Sequence, residues 1–160
     1  TVLGLGNDLW VQARVKVLVR VADKNQDAEK LATYDVETRF ESEMPTRSFT
    51  VIEAETWLNN VCENEDLDPI RVSRQKLPAS IEALAVFDNW CIKVPANKVS
   101  QHTLLHELAH FACANRGHGR EFRSQLVTLH RRYTSLSHAA ALHQLFVASG
   151  LSVNPLIATS

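Results

Sequence analysis

Between residues 11 and 21 the apolar side chains fall on every second position: Val11, Ala13, Val15, Val17, Val19 and Val21 alternate with Gln12, Arg14, Lys16 and Arg20. A period of two built on β-branched residues predicts a strand. A helix with Gln12, Lys16, Arg20 and Asp23 on one face is the less favoured alternative. Ala32, Tyr34, Val36, Thr38 and Phe40 repeat the alternation, so a second strand is expected, joined to the first in a hairpin around residues 23–30. Pro45 closes this region. Thr50-Val-Ile-Glu53 has the form of a capping box and opens a helix with Ala54, Trp57, Leu58 and Val61 on its buried stripe. After an acidic loop at 63–68, residues 70–75 suit a short strand. Residues 83–94 suit a strand pair turning at Asp88-Asn89, two residues that tolerate left-handed backbone.

From residue 100 the period changes to that of helices. Ser100 is a suitable N-cap for a helix running to about residue 115, with Leu104, Leu105, Leu108 and Ala112 inward and Gly117 at a left-handed exit. Phe122, Leu126, Leu129 and Tyr133 mark a second helix after Gly119, and a last helix is expected over 138–149, before Gly150 and a loose tail beyond Pro155. Strands first and helices afterwards predict an α+β domain. A small antiparallel sheet packs on the helix that starts after Ser100, two C-terminal helices follow, and residues 1–45 form an N-terminal β-hairpin extension.

Composition narrows the class. A chain of 160 residues with 45% apolar and 22% charged content is expected to form one domain with a real core. No apolar run approaches the roughly 18 residues that cross a bilayer, and no signal-peptide pattern opens the chain, so a soluble cytoplasmic protein without membrane contact is expected. Cys62, Cys91 and Cys113 show neither CxxC spacing nor an even count, which favours reduced, mostly buried thiols. The net charge of −1 hides an asymmetry: residues 1–100 carry 12 Lys/Arg against 16 Asp/Glu, whereas Arg116, Arg120, Arg123, Arg131 and Arg132 face only Glu107 and Glu121 beyond residue 100. The bland reading is a solvated arginine face; the sharper one is a weak contact with DNA or another polyanion through these arginines.

His106-Glu107-Leu108-Ala109-His110 carries the candidate chemistry. On a helix, histidines four apart project from one face about 6 Å apart along the axis, so both imidazoles can grip one zinc ion. A catalytic zinc has three protein ligands and a water whose pKa falls towards about 7, and Glu107 is placed to act as base on that water. His102 continues the stripe, but about 12 Å separates it from His110 along the axis, too far to share the ion, so it belongs at the rim, behind the ligands, or in solvent. The third-ligand candidates are His118, Glu121, His130, His138 and His143. His118 is favoured, because it follows the motif helix directly and Gly117 and Gly119 permit a sharp return. Cys113, Tyr133 and His130 have weaker claims, as a ligand or as carbonyl-polarising groups, with packing preferred for each. Gly4-Leu-Gly6 lacks the third glycine of a phosphate loop and is set aside.

With HELAH at 106–110 and His118-Gly119-Arg120-Glu121-Phe122 after it, the segment at about 70–133 resembles the SprT-like zincins, whose pattern is HExxH followed by HGxxF or HGxxW. The seven residues between His110 and His118 make a shorter loop than in the Spartan members, and no cysteine-rich ribbon follows it. In length and layout the chain is also similar to small bacterial and phage metallohydrolases. The resemblance implies a zincin-like fold, His106, His110 and His118 as zinc ligands, Glu107 as the base, and peptide-bond hydrolysis in a family whose best-known members cut proteins crosslinked to DNA. An exposed sheet edge at 85–94 is then the expected docking strand for an extended polypeptide substrate. The alternatives are a non-catalytic, zinc-stabilised interaction module and a hydrolase of a non-peptide amide.

Overall fold

The structure, a computed structural model, describes residues 11–15, 24–114 and 116–157. In chain order they form β1 (Val11–Val15), α1 (Lys24–Glu43), β2 (Ser48–Thr50), α2 (Val51–Asn64), β3 (Arg71–Arg74), β4 (Ile81–Val86), β5 (Cys91–Val94), β6 (Lys98–Ser100), α3 (Gln101–Cys113), α4 (Arg120–Tyr133) and α5 (Leu136–Ala148). The class is α+β, but the main sheet is mixed rather than antiparallel. Its order is β1-β4-β5-β3, with β4 antiparallel to β1 and β5, and β3 parallel to β5. A separate ladder joins β2 to β6.

The strand predicted at 32–40 and the hairpin around 23–30 are overturned, because Lys24–Glu43 is one continuous helix. Its buried positions, Thr33, Tyr34, Val36, Glu37 and Phe40, recur with helical spacing. Two of the five are polar, and the apolar remainder, Tyr34, Val36 and Phe40, falls on alternate positions and imitates a strand. The strand expected at 11–21 is present at 11–15; its remainder, and the glycines at 4 and 6, lie outside the described residues.

β1 pairs with β4, placing Val11 opposite Val86 and Gln12 opposite Ala85. The docking edge expected at 85–94 is therefore not an edge. β4 lies between β1 and β5, and β5 between β4 and β3.

Local signals further along hold. Thr50 caps α2 through a complete capping box, Glu53 N–H donating to Thr50 Oγ1 at 3.3 Å and Thr50 N–H to Glu53 Oε2 at 2.8 Å. Ser100 Oγ accepts from Thr103 N–H at 3.0 Å at the start of α3. α5 begins earlier than expected, because Ser135 Oγ accepts from His138 N–H at 3.0 Å. In the β4–β5 turn left-handed backbone appears at Trp90 rather than at Asp88 or Asn89, and the left-handed cap that ends α3 is Ala114. The β4–β5 turn spans four residues, closed by Trp90 N–H to Phe87 O at 3.1 Å. There the Trp90 indole, bonded to Asp68 O at 2.9 Å and packed edge-on to Phe111, offsets the roughly 1–2 kcal/mol cost of a left-handed residue with a Cβ.

Every α3 residue from His102 to Phe111 is buried, so this helix is the centre of the molecule rather than an amphipathic surface element. It packs against β4, β6, α2 and α4, while α5 covers α1 and α4. Leu104, Leu105, Leu108, Leu126 and Phe146 are fully buried, each contributing about 1.5–3 kcal/mol of transfer free energy. Leu156, in the tail expected to be loose, packs on this core. Cys62, Cys91 and Cys113 are free, the first two buried. Among the described residues no helix is long and apolar enough to cross a membrane.

Candidate metal centre

One turn of α3 sets the rings of His106 and His110 5.0 Å apart, centroid to centroid. The left-handed Ala114 then stops the helix, and the chain turns back so that the His118 ring lies 5.3 Å from His106 and 4.7 Å from His110. Each of the three offers a nitrogen within 4.8 Å of the others. His106 Nε2 and His118 Nε2 are 3.4 Å apart. That is long for a hydrogen bond and equals the ~3.4 Å that separates two nitrogens held about 2.1 Å from one tetrahedral metal ion.

All three histidines are buried. Burial, reinforced by His106 and His110, holds His118 well below the usual imidazole range, which favours the neutral ring that ligation requires. The group can hold a metal ion, and a set of three imidazoles suits a first-row divalent cation. Phe122, which belongs to the apolar stripe of α4, packs on all three rings, with centroids 4.5–4.8 Å away. Glu107 is fully buried, and its Oε2 accepts from the Ala85 amide of β4 at 3.1 Å. The carboxylate next to the histidines is thus positioned by the sheet.

None of the other third-ligand candidates joins the group. Glu121 is exposed, His130 lies against His102, His138 bonds Ser135 and Pro45, and His143 bonds Asn154. His102 is neither a ligand nor exposed. It is fully buried, with Nε2 3.0 Å from Glu37 Oε1. Tyr133, considered for carbonyl polarisation, donates instead to Glu65 at 2.8 Å; burial and that carboxylate push its phenol up to about 12. Burial, with Glu121 adding, pushes the Cys113 thiol up to about 11, which suits packing rather than ligation.

Three residues that sequence reasoning missed surround the site. Glu37 Oε1 lies 2.7 Å from His106 Nδ1. Tyr34 meets the His118 ring edge-on at 4.9 Å. Arg123, expected on a solvated or polyanion-binding face, is fully buried instead: it donates to His118 O at 2.6 Å, Ser152 O at 2.9 Å and Glu29 Oε1 at 2.6 Å. Of the other arginines, Arg132 is paired with Glu65 and Arg120 bonds Asn154. The helical spacing of Thr33, Glu37 and Phe40 was the one available signal for Glu37.

No protein-family model matches this chain, and no curated protein or solved structure matches it significantly.

Proposed function

We propose that this protein is a zinc-dependent hydrolase with a zincin-like site, most specifically a metallopeptidase, in which His106, His110 and His118 hold the zinc and Glu107 is the base. One observation carries the reading: three imidazoles converge, and the residue next to His106 on the same helix is a buried carboxylate that the β4 backbone holds in place. A structural zinc site is closed by four protein ligands, whereas a catalytic one has three and leaves a position for water. Among the described residues the group has three.

Bound there, zinc would supply Lewis acidity and bring water towards ionisation near neutral pH. Glu107 takes the proton from the attacking water and passes it to the leaving amine. The Ala85 amide fixes one carboxylate oxygen during both transfers. Extended polypeptide suits this neighbourhood, because the strand that touches Glu107 accepts an antiparallel partner. Within the chain Val11–Val15 takes that place, with Gln12 opposite Ala85. A substrate binding by strand addition competes with residues 11–15 for β4.

The test is Glu107→Gln in zinc-loaded protein, assayed on an unfolded polypeptide. Zinc content should be unchanged and cleavage should fall by about 100-fold or more. Wild-type protein that holds zinc and cleaves nothing overturns the hydrolase reading in favour of a zinc-stabilised module. Undiminished cleavage by the variant overturns the role of Glu107.

A further inference from the structure

We infer that Glu37 is a positioning residue for the metal centre, held as an acceptor by a buried chain running from Thr134 through His130 and His102, and that this chain sets the tautomer in which His106 meets the metal. The inference rests on the reading of His106 as a ligand.

The direction of the chain follows from counting protons, starting at Thr134. Its hydroxyl donates to His130 O at 2.6 Å. A hydroxyl has one proton, so towards His130 Nδ1, 3.1 Å away, Thr134 Oγ1 acts only as acceptor, and Nδ1 carries a hydrogen. At the other end His102 Nε2 faces Glu37 Oε1 at 3.0 Å and Glu41 Oε1 at 3.4 Å. Carboxylate oxygens only accept, so Nε2 carries a hydrogen too. Between the rings, His102 Nδ1 and His130 Nε2 are 2.8 Å apart, a hydrogen-bond length that needs one further proton. It is also shorter than the ~3.4 Å expected of two nitrogens sharing one tetrahedral metal, so this pair is not a second metal site.

Three protons over two imidazoles give the pair one positive charge. The two rings share that charge, and the hydrogen on His102 Nε2 is the one that faces Glu37. A buried carboxylate is tolerated when it faces such a charge and is hydrogen-bonded, and Glu37 is fully buried. Phe40 packs on both rings, with centroids 5.2 and 5.0 Å away. Glu37 Oε1 then accepts a second bond, from His106 Nδ1 at 2.7 Å. The His106 proton is therefore on Nδ1, and its Nε2 lone pair faces His118 and the metal position. A carboxylate behind a ligating histidine commonly does this work: it fixes the ring and raises its basicity.

Imidazole nitrogen–proton correlation spectra of the zinc-loaded full chain provide the first test. His106 should show a protonated Nδ1 and a metal-bound Nε2; metal on Nδ1 overturns the inference. Glu37→Gln should weaken zinc binding, measured by competition with a chelator, by about 10–100-fold and displace the His106 Nδ1–H resonance. A folded Glu37→Gln protein with unchanged affinity and resonance also overturns it. Should that variant not fold, His130→Gln tests the chain from its far end: a displaced His106 resonance is expected, and an unmoved one is fatal to the chain. The two readings fail separately. Zinc bound with the stated tautomer but no hydrolysis sinks the hydrolase and supports the positioning role, whereas hydrolysis with metal on Nδ1 does the reverse.

Discussion

At the scale of single residues the centre depends on side chains whose energies are unequal. Arg123 donates to the carbonyls of His118 and Ser152 and to the carboxylate of Glu29. The Glu29 side chain is 41% exposed, so solvent screens the ion pair, which is worth about 0–1 kcal/mol. Leaving the buried His118 carbonyl without this donor costs about 1–3 kcal/mol, so that contact dominates. Arg123→Met is therefore expected to lower stability by about 2–4 kcal/mol in urea unfolding, and Glu29→Gln by less than about 1 kcal/mol. Equal losses from the two variants would show that the ion pair, not the tether on His118, is what Arg123 supplies. The HExxH histidines were legible at this scale because a four-residue separation on a helix is a local fact. Glu37 was not, since it stands 69 residues from the histidine it contacts.

Elements differ in how openly their sequences declare them. α2 is specified by two reciprocal bonds within four residues, and Thr50→Ala should cost about 1 kcal/mol, read as a lower denaturation midpoint at unchanged slope. No loss would mean that tertiary packing alone starts the helix. α1 conceals its type, because Thr33 and Glu37 occupy inward positions that an ordinary helix would fill with apolar residues. Thr33 Oγ1 lies 3.3 Å from His118 O, and Glu37 meets His106 and His102. At these two positions polar contacts with the histidine cluster stand where apolar residues would have made the helical period plain. The histidine face of α3 is covered on both sides, by Glu37 and Phe40 of α1 and by Phe122 and His130 of α4.

For the whole molecule, a zinc ion held as proposed by His106, His110 and His118 would join α3 to the segment that leads into α4. Zinc should therefore stabilise the fold as well as equip it. At free zinc about 100 times the dissociation constant the gain is about 2.7 kcal/mol, and in a chain of this size that raises the melting temperature by roughly 5–11 °C over chelated protein. A melting temperature indifferent to zinc would remove the metal from the account. The α+β class, the capped helices and the grouping of three histidines were determined by the sequence itself, because each depends largely on neighbours a few residues apart; His106 and His110 lie on one helix and His118 follows shortly after its end. Tertiary structure alone decided that residues 24–43 form a helix, that β1 takes the edge of β4, that Ala85 holds Glu107, and that Arg123 and Glu37 face inward. The reason is common to all four. Each is a pairing between distant segments, and a buried polar group is stable only where another part of the chain brings its partner, which a local pattern does not record.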